Sequence, residues 1–244
     1  MAENRASANE ETYQEGVPCW VDAQLPDVEA GKRFYGELFG WTFEEAYGSS
    51  VWARLAGDRV ASLAPKTDGR MPTVWTVSFA TSDAEALGRR ITAAGGRVVM
   101  APFPVGDLGI AALATDPDGA VFGLWQAGTH PGFGRRHEPN TFVWAQLYTR
   151  DTAAANAFYG GLFHDALFGS DAEPDFGRAE ITEVFPAEMP PHFLTHFRVA
   201  ALDDALGAVQ RLGGRVQAPP FETSYGRVAV VIDNQGASFA LLQR

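Results

Sequence analysis

The sequence is almost devoid of cysteine and lysine. Of its 244 residues one is a cysteine, Cys19, so an intrachain disulfide and a cysteine-rich zinc site are both excluded. Lysine occurs only as Lys32 and Lys66, which leaves few candidates for Schiff-base chemistry. The sequence also lacks a GxSxG nucleophile elbow, a phosphate-binding loop and a GxGxxG motif before a helix. The common sequence signatures of catalysis are therefore missing.

Positive charge and long apolar runs are scarce as well. The formal net charge is −11, which disfavours nucleic acid and anionic lipid as partners because both are bound through clustered Lys and Arg. No run approaches the ~20 apolar residues that a membrane span needs. The first residues, MAENRASANEETYQEG, contain no apolar signal-peptide region. We therefore predict a cytoplasmic protein with no membrane partner.

A repeated segment is the main positive feature. FYGELFGW at 34–41 returns as FYGGLFHD at 158–165, and AAGGRV at 93–98 returns as RLGGRV at 211–216. DPDGAVFGLWQ at 116–126 corresponds to DNQGASFALLQ at 233–243. The matches keep their order, so the chain contains two homologous units. We predict a flexible tail at 1–15, a first domain at 16–128, a linker at 129–139 and a second domain at 140–244.

Each unit has the same internal order of predicted elements. CWVDAQL alternates like a strand, Asp27 stands where a helix N-cap belongs, and Gly40 ends the helix. Three short strands follow, and the plan restarts at TVWTVSFA with a helix capped near Asp83. Each repeat therefore predicts two βαβββ modules, in which Phe34 and Phe158 are core residues.

These motifs resemble the vicinal oxygen chelate superfamily, which includes glyoxalase I, bleomycin-resistance proteins and extradiol dioxygenases. Three motifs carry the resemblance: FYxxLFGW after the first strand, the GG-R-V turn and the closing DPDGAVFGLWQ. The chain most closely resembles tandem actinobacterial members described as glyoxalase-like proteins or hydroxylases. The resemblance implies an α+β fold in which four βαβββ modules form two cupped mixed sheets, each with a ligand on its concave side. Whether modules pair within or across repeats stays open.

The metal ligands of the superfamily do not carry over to this chain. The resemblance places the first-strand His at Trp20 and Trp144, the His of the second module at Thr76 and Leu194, and the last-strand Glu at Gly123 and Ala240. The fourth ligand position of the superfamily, on the last strand of the first module of each repeat, falls near Ser62 and Glu183. Because none of the first six residues is a usual metal ligand, we predict no cofactor and no metal. A weak alternative is a nonstandard centre formed by Glu183, His192 and His196.

The resemblance and strand parity together predict the residues that line the two cups. Aromatic walls with a few polar groups suit a small organic molecule, although a core role for each Trp is an equal alternative. The predicted ligand-binding residues are Trp20, Asp22, Gln24, Thr76, Ser78 and Trp125 in the first cup and Trp144, Gln146, Tyr148, His192 and His196 in the second.

Two functions remain open at this point. The first is a metal-independent protein that binds a small aromatic or hydrophobic molecule, such as an antibiotic or a toxic metabolite, and so confers resistance. The second is a glyoxalase-like lyase or a tailoring oxygenase or hydroxylase, either cofactor-free or with a nonstandard metal centre. Fold alone does not separate them. The chain is expected to be a monomer or a homodimer.

Overall fold

The computed structural model of the protein describes residues 13–170, 172, 175–181 and 189–244. Glu183, one member of the alternative metal centre, lies outside these residues, as do residues 1–12 of the predicted tail. Across the described ranges, every helix is too short or too polar to cross a membrane.

The first repeat contains eight strands and two helices. Its first module comprises β1 (Pro18–Leu25), α1 (Val28–Phe39), β2 (Thr42–Glu45), β3 (Val51–Leu55) and β4 (Asp58–Pro65). The second comprises β5 (Trp75–Ala80), α2 (Ala84–Ala93), β6 (Arg97–Val105), β7 (Gly109–Thr115) and β8 (Val121–Ala127). This is the predicted βαβββ order, written twice.

The second repeat follows the same plan with one change. Its elements are β9 (Phe142–Thr149), α3 (Thr152–Leu162), α4 (His164–Phe168), β10 (Phe176–Glu180), β11 (His192–Arg198), α5 (Leu202–Arg211), β12 (Arg215–Thr223), β13 (Gly226–Ile232) and β14 (Ser238–Gln243). Among the described residues of the third module, the short helix α4 and the single strand β10 stand where repeat one has three strands. His164 begins α4 and is exposed.

Each repeat forms its own mixed sheet. The strand order is β2-β3-β4-β1-β5-β8-β7-β6 in the first and, over the described residues, β10-β9-β11-β14-β13-β12 in the second. The two modules of a repeat meet through antiparallel pairs, β1 with β5 and β9 with β11. Modules therefore pair within a repeat, which settles the alternative that the sequence left open.

The helix boundaries arise from local capping. Asp27 has extended backbone and its carboxylate accepts a hydrogen bond from Ala30 N, while Gly40 ends α1 at φ 70°. Asp83 and Asp151 cap α2 and α3 in the same way. An Asp N-cap pairs an otherwise unbonded backbone N–H, and glycine accepts the left-handed conformation without strain. These signals explain why the sequence pattern locates the helices well.

The core is continuous across the two repeats. Phe34 and Phe158 are both buried, as predicted. Rings from the two repeats contact each other directly: the centroids of Phe79 and Phe163 lie 5.2 Å apart, and those of Phe39 and Phe197 lie 5.1 Å apart. The faces of the sheets that carry these rings share one hydrophobic cluster. The cups therefore occupy the opposite faces of the two sheets.

The predicted linker is packed rather than free. His130 and Phe133 are buried, and Phe133 N donates a 2.9 Å hydrogen bond to Cys19 O on β1. The Phe133 ring stacks on Phe142 of β9 at 4.8 Å, so the segment joins the first strands of both sheets. At the preceding end of the chain, the hydroxyl of Tyr13 donates to Phe133 O at 3.0 Å. The last residues of the predicted tail are thus part of the folded structure.

Candidate functional site

The concave face of the first sheet encloses a cavity of about 280 Å³. Strand alternation directs Val21, Ala23 and Leu25 into the shared core and their neighbours on β1 into the cavity. Five of the six residues predicted for this cup line the cavity: Trp20, Asp22, Gln24, Ser78 and Trp125. The sixth, Thr76, pairs with Asp22 across the ladder but is not among the lining residues.

One end of the cavity is an aromatic cluster formed by Trp20, Trp52, Trp125 and His130. The His130 ring lies at its centre, with centroid distances of 4.4 Å to Trp20, 4.5 Å to Trp52 and 5.6 Å to Trp125. Trp20 and Trp52 meet edge to face at 5.3 Å, a favoured arrangement for aromatic pairs. The cluster is therefore a fixed wall whose rings hold one another in place.

Two of the indole N–H groups in this cluster are bonded within the protein. Trp20 Nε1 donates to Ser62 Oγ at 3.0 Å, and Trp125 Nε1 donates to the backbone oxygen of His130 at 2.8 Å. Since an indole has a single donor and no acceptor, these two rings offer a ligand apolar surface. The wall formed by them is therefore apolar toward the cavity.

Three polar side chains in the cavity have unmet bonding capacity. Burial raises the pKa of Asp22 from 3.8 to about 7, and no other interaction offsets that effect within the described part of the chain. Gln24 Oε1 and His130 Nε2 are buried without a hydrogen-bond partner among the described residues. Burial, with a smaller contribution from the positive charge of Arg59, lowers the pKa of His130 to about 4, so its imidazole is neutral at pH 7. Groups of this kind in a cavity mark a candidate binding site.

The mouth of the cavity lies between two hairpin tips. Tyr47, just after β2, and Phe103 of β6 both line the cavity and are exposed. Gly106 lies in the turn between β6 and β7, and a Cβ added to it would lie 3.0 Å from the Tyr47 ring. The β6–β7 turn and the β2–β3 turn, at the two edges of the sheet, therefore touch. The sheet is curled far enough to enclose a small molecule.

Sequence reasoning missed two of the residues that shape this wall. Trp52 could have been found, because alternation in SVWARLA places it on one face of β3 with Arg54. His130 could not, because its segment is rich in Gly and Pro, a pattern that indicates a linker, and no periodicity marks its direction. Its position depends on how the linker folds back.

The first cup does not fit the metal that the superfamily uses. The ladder brings Trp20, Ser78 and Gly123 side by side, while Thr76 lies one step away, opposite Asp22. An indole N–H cannot coordinate a cation, Gly123 has no side chain, and a Cβ there would lie 2.1 Å from Ser78 Oγ. A side chain at position 123 would require the Ser78 hydroxyl to move away. Trp20, Thr76 and Gly123 are therefore not the ligands that a divalent ion uses at these three positions.

The second cup carries side chains that contact one another. Val143, Leu194, Val230 and Ala240 belong to a separate apolar cluster on this face, against which Trp144 packs. Trp144 stacks on Tyr225 at 6.2 Å, and its Nε1 donates to Gln146 Oε1 at 3.0 Å. The predicted residues Trp144, Gln146 and Tyr148 therefore lie on the cup face, where the described side chains pack on one another.

The two histidines of the second cup are both held by backbone carbonyls. His192 Nδ1 lies 2.9 Å from Pro190 O and its ring stacks on Tyr148, whereas His196 Nδ1 lies 3.1 Å from Leu194 O. Burial lowers the pKa of both, in His196 to about 4. No group of three His, Cys, Asp or Glu able to hold a metal occurs within the described ranges. The alternative centre depends on Glu183, which lies outside them.

Comparison with known proteins supports a single assignment. Residues 20–124 match the family model of the Glyoxalase/Bleomycin resistance protein/Dioxygenase superfamily. The chain is 36% identical over 250 residues to "Putative glyoxylase CFP32" of Mycobacterium tuberculosis, covering 95% of this chain and 96% of that protein. It is 32% identical over 265 residues to the anthracycline biosynthesis protein DauV of Streptomyces sp. strain C5, covering 95% and 94%.

A solved structure shares the fold at lower identity. The Mn(II)-bound glyoxalase from Novosphingobium aromaticivorans superposes with a TM-score of 0.64 at 14% identity, over 95% of this chain and 83% of that one. At this identity the likeness concerns the fold alone. The family model, the near full-length relatives and the two cupped mixed sheets all agree. This chain belongs to the glyoxalase/bleomycin resistance protein/dioxygenase superfamily.

Proposed function

We propose that this protein binds a small aromatic or hydrophobic organic molecule in the cup of its first repeat, without a metal ion. The observation that carries the proposal is the cavity of about 280 Å³ walled by Trp20, Trp52 and Trp125. Concave, mostly apolar pockets with a few placed polar groups are typical small-molecule sites. Sequestration of an antibiotic or a toxic metabolite is the role that best suits such a site.

The volume limits the ligand. Pockets for drug-sized ligands span roughly 300–1,000 Å³, and this cavity lies just below that range. One or two fused rings with short substituents fit it, whereas a larger ring system would have to leave part of itself outside the mouth at Tyr47 and Phe103. A relative named for anthracycline biosynthesis supports an aromatic ligand class without fixing its size.

A thermal-shift and fluorescence screen with one- and two-ring aromatic compounds tests this function. A bound compound should quench tryptophan fluorescence and raise the melting temperature in a concentration-dependent way. Ala64 lines the cavity, so Ala64→Phe should fill it and abolish both effects. Ala93→Phe, on an exposed position of α2, is the matched control and should bind normally. A screen without any shift, or binding that survives Ala64→Phe, would contradict the proposal.

The contribution of the aromatic wall can be measured separately. Trp20→Ala should weaken binding by ~1–3 kcal/mol, because it removes hydrophobic and ring contact together. Trp144→Ala in the second cup should leave binding to the first cup unchanged. Equal losses in the two variants would indicate that both cups bind the ligand.

A second candidate function is cofactor-free proton transfer in the same cavity, and the raised pKa of Asp22 favours it. A carboxyl with a pKa near 7 can accept and return a proton at neutral pH. It would take a proton from the carbon beside a carbonyl group, leaving the electron pair as an enolate, and return the proton to the carbon framework. Exchange of that hydrogen for deuterium in heavy water, seen by NMR and lost in Asp22→Asn, would establish an enzyme.

A further inference from the structure

Among the described residues that line the cavity of the first cup, Asp22 is the single acidic one, and none is Lys or Arg. It lies in the middle of β1, opposite Ser62 of β4 and Thr76 of β5. Its carboxylate therefore faces the enclosed space rather than the surface. An anionic group in such a place requires a partner or remains protonated.

The described groups around Asp22 do not supply that partner. Ser62 and Ala64 of β4, Thr76 and Ser78 of β5, Trp52 of β3 and Trp125 of β8 are uncharged. Two other titratable groups occur among the described lining residues: His130, neutral at pH 7, and the phenol of Tyr47 at the mouth. The guanidinium of Arg59 lies 4.6 Å from the Trp52 ring and 3.8 Å from Glu44. Burial raises the pKa of Asp22, and no cation among the described residues compensates for it.

In the second repeat, Gln146 occupies the position that corresponds to Asp22, and its side chain is bonded within the protein. Gln146 pairs with Leu194 and Gly177, as Asp22 pairs with Thr76 and Ser62. Trp144 Nε1 donates directly to Gln146 Oε1 at 3.0 Å. In the first repeat the corresponding indole, Trp20, donates to Ser62 instead. Asp22 is thus left without the internal donor that Gln146 has.

We propose that the first cup takes a ligand that carries a protonated amine, whose ammonium group pairs with the Asp22 carboxylate beside the tryptophan wall. This inference rests on the proposed small-molecule site. An ammonium group supplies the missing positive charge and hydrogen-bond donors. Aromatic faces also attract cations once water is excluded. The ligand class is therefore an amine on a one- or two-ring hydrophobic body.

The pairing couples binding to protonation. The ammonium ion favours the ionised form of Asp22, so binding releases a proton wherever the free protein holds it, below a pH of about 7. Affinity for the amine rises with pH through this range and levels off above it, as long as the ligand stays protonated. A neutral ligand of the same shape gives no such release.

Calorimetric titration with two ligands of equal ring size tests the inference. The probes are 2-naphthylmethylamine, protonated at neutral pH, and the uncharged 2-naphthylmethanol. The intact protein should bind the amine at least ~10-fold more tightly than the alcohol, and Asp22→Asn should remove this preference. Asp107→Asn is the matched control: it removes one charge from the exposed β6–β7 turn and should keep the preference.

The outcomes separate this inference from the proposed function. Equal affinity for amine and alcohol, or an amine preference that survives Asp22→Asn, would overturn the ammonium site and leave a neutral aromatic site standing. Failure of both probes and of the wider aromatic screen would overturn both. Proton release, measured on the unmodified protein in two buffers of different ionisation enthalpy at about pH 6, needs no variant. Its absence during amine binding would also reject the pairing.

Discussion

The hydroxyl of Tyr35 donates a 2.7 Å hydrogen bond to Asp233 Oδ2, which lies 198 positions further along the chain. The bond has a counterpart: Tyr159 donates to Asp116 Oδ2 at 3.1 Å. Each Tyr belongs to the FYG segment of one repeat, and each Asp begins the DxxG segment of the other. The two repeats are therefore joined reciprocally by residues that the duplication supplied twice.

Loss of either hydroxyl should destabilise the protein. All four side chains are largely buried, so Tyr35→Phe and Tyr159→Phe each leave a carboxylate short of a donor. Bonds to charged groups contribute about 1.5–3 kcal/mol, and we expect this loss in the free energy of denaturant unfolding. Tyr47→Phe, at a residue that is 53% exposed, is the control and should change little. A loss in only one of the two interface variants would show that the junction is not reciprocal.

The two phenylalanines of the repeated helix should be equivalent core anchors. Phe34→Ala and Phe158→Ala should each cost ~3–5 kcal/mol, the range for a buried Phe, because both rings are almost fully enclosed. Urea unfolding of both variants measures this. Phe168→Ala, at an exposed residue of α4, should stay within about 0.5 kcal/mol of the parent protein. If Phe34→Ala or Phe158→Ala were near neutral, that helix would not pack as described.

Purified protein should contain no stoichiometric transition metal. Trp20 and Gly123 occupy ligand positions in the first cup, and Trp144, Leu194 and Ala240 occupy them in the second. Elemental analysis after dialysis is the measurement. One Zn, Ni, Mn or Fe per chain would contradict this expectation and direct attention to Glu183, His192 and His196; loss of that metal in His196→Ala would locate it.

Asp22 should lower stability as the pH rises. Its pKa is raised from 3.8 to about 7 in the folded state, so between these values the folded protein holds a proton that the unfolded chain has released. The unfolding free energy then falls with pH by at most ~1.4 kcal/mol per unit, and it levels off above pH ~7. Asn does not titrate, so Asp22→Asn should gain stability relative to the parent across this window.

The measurement is the difference in unfolding free energy between the two proteins at about pH 4, 6 and 8. The difference should grow from pH 4 to 7 and stay constant beyond. A difference that does not vary with pH would mean that Asp22 is solvated or already paired in the free protein.

Local chemistry made much of the fold predictable. Asp27, Asp83 and Gly40 cap helices through contacts within a few residues, so their sequence neighbourhood is sufficient to place them. Strand parity placed Trp20, Asp22 and Gln24 on the cup face because β1 keeps a regular alternation from Trp20 onward. The domain limits at 16–128, 129–139 and 140–244 remain predictions, as does a flexible tail at 1–12, whereas Tyr13 at the end of the predicted 1–15 tail is packed.

Other features depend on distant contacts and could not be predicted. Within the described part of the third module, the short helix α4 stands where the repeat pattern implied a strand, and it buries Ala166 and Leu167 against the core. The state of Asp22 depends on which groups surround it and on the diversion of the Trp20 N–H to Ser62. Such an absence of partners has no signature in the linear sequence.

The path of the linker makes the two halves unequal. A duplicated unit gives two copies of every strand and helix, but two copies need one connection between them. Here that connection brings His130 and Phe133 against Trp20 of the first copy. Even two repeats of identical sequence would then have unlike pockets, one of them containing a ring from the connecting segment. Functional divergence between the cups can thus begin with the fusion itself, before any substitution in either repeat.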